Sequence, residues 1–145
     1  MNIFIENPSG TTIKKEYDKG TWRLRGSLAV PYPYPYGFIP GTLQEDGDPL
    51  DAFLITAKPM KIKQGDVVDV SVLGMVEYFE DGERDSKILV RNRSEKIGLQ
   101  QNRKATLSNF LLHAFDNQLG KKVKLSRFYG RAKAVNEIRN ALTAD

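Results

Sequence analysis

Cysteine is absent from this 145-residue chain, and histidine and tryptophan occur once each. Without cysteine, disulfides and thiolate metal sites are excluded. No apolar run is long enough to span a bilayer. The opening residues "MNIFIENPSG" lack the basic start, apolar middle and small-residue cleavage site of a signal peptide. A cytoplasmic, soluble protein is expected. A more local absence stands out as well: no lysine or arginine occurs between Tyr32 and Ala57, although Glu45, Asp46, Asp48 and Asp51 crowd together there.

What is present fits one globular domain over residues 1–145, with 40% hydrophobic and 28% charged residues. The net charge of +4 is modest but unevenly spread. Acids gather at 45–51 and 80–85, and bases at 14–25, 87–104 and 121–133. That balance suits an anionic partner, which could be nucleic acid or a small anion bound through metal ions.

Short strands are expected over 2–6, 11–18 and 21–25. An extended backbone over 11–18 puts Lys14, Glu16 and Asp18 on one face and Ile13, Lys15 and Tyr17 on the other. "LDAFLIT" reads as a buried strand, "GDVVDVSVLGMVEYF" as a long one, and "EDGERD" as a hairpin tip before "SKILVRN". The polar, basic residues 91–108 read mostly as loop. Leu107, Phe110, Leu111, Ala114 and Phe115 then recur at helical spacing, with Gly120 ending that helix. A strand and turn over "KKVKLSRFYG" and a last helix through Ala132, Val135, Ile138 and Leu142 complete the chain. This order predicts a mainly β, α+β fold: an antiparallel β-barrel with helices packed outside.

The acidic run carries the chemistry. "EDGDPLD" could be a solvated turn. Asp48, however, precedes a proline and is biased toward extended backbone, so Asp46 and Asp48 can point the same way. Asp51 opens an apolar strand, where an unpaired charge is costly. Carboxylates held that close imply a cation between them, and oxygen donors favour Mg²⁺, which completes its shell with waters and phosphate oxygens. Gly47 and Pro49 rule out a calcium EF-hand loop. Asp85 and Lys87 can share a face at the start of a strand, offering one more ligand beside a fixed positive charge. Lys14 and Arg25 are candidate phosphate contacts. The Pro-Tyr run "PYPYPYG" reads as an extended segment presenting phenols to an anion.

From "FIENPSGTTIKKEYD" through "YPYPYGFIPGTLQEDGDPLD" to "EDGERDSKILV", the chain resembles the family I soluble inorganic pyrophosphatases. The resemblance implies an OB-like five-stranded barrel with two helices from the C-terminal half outside it. It also implies Mg²⁺-dependent hydrolysis of pyrophosphate and a homo-oligomer, commonly a hexamer. By the same resemblance Asp46, Asp51, Asp85 and Glu80 take the metal-ligand positions, with Asp51 bridging, and Asp48 accepts the proton of the attacking water. Lys14, Arg25 and Tyr36 match phosphate contacts, and Glu6, Glu16, Tyr32 and Lys87 line the same cavity. Nucleic acid and membrane are not expected partners. The alternatives are hydrolysis of another phosphoanhydride, such as a nucleotide, or a non-catalytic OB-like module binding anions or nucleic acid.

Two positions depart from the family pattern. Glu80-Asp81 stands where the family has Asp then Glu, so either residue could reach a metal. Ala114 and Phe115 stand where the family carries a phosphate-binding Tyr-Lys pair, and that subsite reads as converted to core. Arg91, Arg93, Arg103 or Lys104 could supply the missing charge or be solvated loop. Lys121, Lys122 and Lys124 read as a solvated face, His113 as a surface or subunit-contact residue, and Trp22 as packing.

Overall fold

The computed structural model describes residues 1–58 and 60–143. Along the chain run β1 (Asn2–Asn7), β2 (Ile13–Asp18), β3 (Thr21–Ser27), β4 (Tyr36–Phe38), β5 (Asp51–Ile55) and β6 (Val67–Glu80). They are followed by β7 (Glu83–Arg84), β8 (Lys87–Asn92), α1 (Gln101–His113), β9 (Val123–Gly130) and α2 (Arg131–Ala141).

The central strands are apolar without alternation because both of their faces are covered. In β5, Ala52 and Leu54 enter one core and Phe53 and Ile55 the other. Strand β8 divides in the same way, with Ile88 and Val90 on one side and Leu89 on the other. The first core is aliphatic and is closed by Ala134, Ile138 and Ala141 of α2. The second is aromatic, built on Tyr32, Tyr36, Phe53 and Tyr78, and is closed by Leu107, Phe110, Leu111 and the adjoining Ala114.

The strands pair in the order β1-β4-β5-β8-β6, and β6 pairs back onto β1, so five strands close into a ring. This is the expected OB-like arrangement with one correction: β5 and β8 run parallel. Closure requires tight crossings. A Cβ on Gly37 would lie 1.8 Å from the Phe4 carbonyl oxygen, where β1 and β4 shift register, so only glycine fits. Beyond the ring, β9 extends β6.

The β2–β3 hairpin stands apart, turning through Lys19 and Gly20, both at positive φ as a tight hairpin requires. Buried Asn7 tethers it to β1 by imitating a strand backbone. Its amide nitrogen donates to the Lys15 carbonyl at 2.8 Å and its oxygen accepts from the Lys15 N–H at 2.9 Å. Trp22 packs against Phe4 and Tyr17.

Helix α1 begins at Gln101, inside the segment expected to be loop. Its first turns hold Gln, Arg, Lys and Ala, good helix formers that carry no apolar stripe, which is why periodicity missed them. The helix ends at His113, and Gly120 serves the turn beyond it with φ 80°. Among the described residues no helix is long and apolar enough to cross a membrane.

Candidate active site

The parallel β5–β8 pair creates the site. Its register sets Asp51 beside Lys87 at the same end of the ring. The turn before β5 adds Asp46 and Asp48, the segment before β8 adds Asp85, and the end of β6 adds Glu80. Lys14 and Glu16 of β2 and Arg25 of β3 hang over the same space. Together they line a cleft of about 230 Å³. Of the twelve residues expected at the site, eleven line it, and Tyr32 lies directly behind, its ring stacked 5.3 Å from that of Tyr36.

Lys87 is the pivot. Its side chain is buried, and Nζ donates to Tyr36 Oη at 2.7 Å, Asp51 Oδ2 at 2.8 Å and Asp85 Oδ2 at 2.8 Å. Burial works against the ammonium charge, but Asp51 and Asp85, with Glu80 nearby, outweigh it and hold its pKa above the ordinary lysine value. Burial pushes the Tyr36 phenol well above its usual value, and the neighbouring Asp51 and Asp85 push the same way. Tyr36 therefore stays a neutral donor.

The acidic run is a turn rather than the expected extended segment. Asp46 Oδ1 accepts the Asp48 N–H at 2.9 Å, and Gly47 takes φ 89° between them. Both carboxylates still reach the cleft. Partial burial, then Asp46, Glu16, Asp51 and Asp85, raise the Asp48 pKa, which suits a proton acceptor. Glu6 is buried deeper and receives the Tyr17 N–H at 2.8 Å. Desolvation dominates there and pushes its carboxyl up to about 8.

At the hairpin tip the structure separates Glu80 from Asp81. Glu80 lines the cleft, while Asp81, at φ 50°, turns away and accepts the Lys122 N–H at 2.9 Å. The basic loop is spent elsewhere. Arg91 donates to the carbonyls of Asn92, Arg93 and Glu95, Arg93 pairs with Asp69, Arg103 donates to the Gly98 carbonyl, and Lys104 lies over Phe128. None of the four lines the cleft. His113 is exposed and sits 2.8 Å from Asp116. Ala114 is buried and Phe115 packs against the aromatic core.

Besides Gly47 and Pro49 of the acidic run, the lining includes Lys15, Tyr17 and Asp18, which sequence reasoning did not place at the site, and it did not find the clamp Asn7. A register shift between Lys14 and Lys15 defeats the simple alternation that assigned β2 its faces. Nothing in the residue pattern marks Asn7 as a tether.

Eight acidic side chains line the cleft against four basic ones, an excess that repels any anion. Among the described residues no three of them close into a ready-made metal cage. Open carboxylates with no sulfur or imidazole donor fit a hard divalent cation that keeps water and completes its shell from a phosphate. The excess charge raising Asp48 is what such a cation would relieve.

A sequence model of the inorganic pyrophosphatase family matches residues 3–144. An inorganic pyrophosphatase from Sulfolobus acidocaldarius is 33% identical over 156 aligned residues, which cover 98% of this chain and 89% of the relative. One from Nanoarchaeum equitans is 34% identical, covering 95% of this chain and 92% of the relative. The crystal structure of the inorganic pyrophosphatase from Thermus thermophilus superposes with a TM-score of 0.86 at 32% identity, covering 97% of this chain and 88% of that one.

Proposed function

We propose the following division of labour from one premise: this chain belongs to the inorganic pyrophosphatase family and hydrolyses inorganic pyrophosphate. Water attacks one phosphorus, its oxygen forms a new P–O bond, and the bridging P–O–P bond breaks to release two orthophosphates.

Asp46, Asp51, Asp85 and Glu80 would hold the divalent cation, Mg²⁺ by the chemistry of the donors. When bound, that cation supplies an acidified water and neutralises phosphate charge. Asp48 takes the water's proton. Its raised pKa brings it closer to the working pH than an ordinary aspartate, so it accepts a proton more readily. Lys14, Arg25 and the neutral Tyr36 phenol bind phosphate oxygens, and the Lys14 and Arg25 side chains stabilise the charge that builds as the bridge breaks. Lys87 holds Asp51, Asp85 and Tyr36 in place. Glu6 and Glu16 line the same cleft, and Tyr32 braces Tyr36.

The observation that carries this reading is the gathering of Asp46, Asp48, Asp51, Asp85 and Glu80 in one cleft with Lys14 and Arg25. The acid excess disfavours nucleic-acid binding there. A cytoplasmic location and assembly into a homo-oligomer belong to the same reading; cell fractionation and light scattering test them. The direct test of mechanism is Asp48→Asn with excess Mg²⁺. Orthophosphate release should fall about 10²–10⁴-fold, the usual loss with a general base, while melting temperature holds. A variant with full turnover would remove Asp48 from the mechanism.

A further inference from the structure

Lys121, expected on a solvated face, stands instead at the rim of the cleft. It opens the segment into β9, and unlike the exposed Lys122 and Lys124 it keeps only 21% side-chain exposure. Its Nζ lies 3.4 Å from Glu80 Oε2 and 3.6 Å from Asp81 Oδ2. It also sits 4.6 Å from the centroid of the Phe115 ring, and Lys14 Nζ sits 5.4 Å from the same centroid. Phe115 thus has two ammonium groups against it, one already in the cleft and one at its rim. Lys121 lines a second recess together with Asp46, Asp48, Glu80 and Asp85, so those four carboxylates form a wall shared with the main cleft.

The backbone fixes this placement. The Asp81 N–H donates to the Lys122 carbonyl at 2.7 Å, and the Lys122 N–H donates to Asp81 Oδ1 at 2.9 Å. This reciprocal pair locks the β6–β7 tip to the start of β9. Lys121 is held beside Glu80, with its stem free to turn over the flat ring. A half-buried lysine against an aromatic face, paired with the Glu80 and Asp81 carboxylates, is a preorganised cation.

We propose that Lys121 is a substrate-binding residue: its ammonium contacts the pyrophosphate group on the Glu80 side of the cleft, with Phe115 as the platform spacing it from Lys14. In this chain the charge that residue 115 does not carry comes instead from residue 121. The proposal rests on the pyrophosphatase reading. Glu80 holds the ammonium in the free enzyme and yields it when a phosphate arrives. The exchange trades one ion pair for a charge-assisted bond to substrate.

Calorimetric titration of the Mg²⁺-loaded protein with imidodiphosphate, a non-hydrolysable analogue, tests it. Lys121→Ala should weaken binding about ten- to a hundred-fold, the loss of one charge-assisted contact. Lys121→Arg should restore most of it, and Lys122→Ala should change nothing. Lys121→Met keeps the stem over Phe115 and covers the case in which the alanine variant fails to fold. Affinity equal to the intact chain in a folded Lys121→Ala or Lys121→Met overturns the proposal. So does a loss of Mg²⁺ affinity measured without the analogue that accounts for the whole effect, because Lys121 would then act only through Glu80. Should the intact chain release no orthophosphate from pyrophosphate, the underlying reading fails, whatever Lys121 does.

Discussion

The strand wall of the cleft and the helix wall of the recess adjoining it are built on opposite terms. The strand wall, from Asp46 to Asp51 and from Asp85 to Lys87, is charged and hydrogen-bonded, and the parallel β5–β8 register sets Asp51 beside Lys87. The helix wall, where Phe110, Leu111, Ala114 and Phe115 line a smaller recess beside Lys14, Tyr36 and Lys87, is apolar. Chemistry is concentrated on the first and folding energy on the second. The helix wall can therefore carry apolar side chains at Ala114 and Phe115 without disturbing the carboxylates opposite.

That contrast can be broken most forcefully at Leu107, which is fully buried under α1 and does not line the cleft. Leu107→Ala should cost about 2–5 kcal/mol of stability through lost burial and a residual cavity. Urea denaturation measures this, while turnover per folded molecule should stay within about twofold of the intact chain, since the mutation removes no group from the cleft. A comparable loss of turnover would mean that the helix wall shapes the chemistry directly.

A smaller effect sharpens the same contrast from the strand side. The Glu6 carboxyl has a folded pKa of about 8 against an ordinary 4.5, chiefly through burial. The folded state therefore binds more protons than the unfolded chain between those values, so stability of the metal-free protein should decline as pH rises from about 5 to 8. Glu6→Gln should flatten that decline and change little below pH 4. The midpoints of denaturant curves taken across this range in chelator would show it; parallel slopes for both proteins would remove Glu6 as the cause.

Much of this was legible in the residues themselves. Unbroken apolar runs in β5 and β8 gave buried strands, and the spacing of Asp85 and Lys87 gave their shared face. The "EDGDPLD" cluster pointed to a cation site even though its backbone proved to be a turn. What stayed hidden depends on pairing between distant segments. The parallel β5–β8 contact, the Asn7 tether and the approach of Lys121 to Glu80 all join residues more than five positions apart, and neither propensity nor periodicity encodes such contacts. Helix α1 was misjudged at its start for a local reason: its exposed first turns contain good helix formers but no apolar face.

A cleft this acidic needs a divalent cation before it can take up and hydrolyse pyrophosphate. Orthophosphate release by the intact chain, followed as Mg²⁺ is titrated into chelator-treated protein, tests this most directly. No release above buffer is expected without the metal, and turnover should rise to saturation with it. Equal release in chelator, or none at any Mg²⁺ concentration from a folded protein, would contradict this.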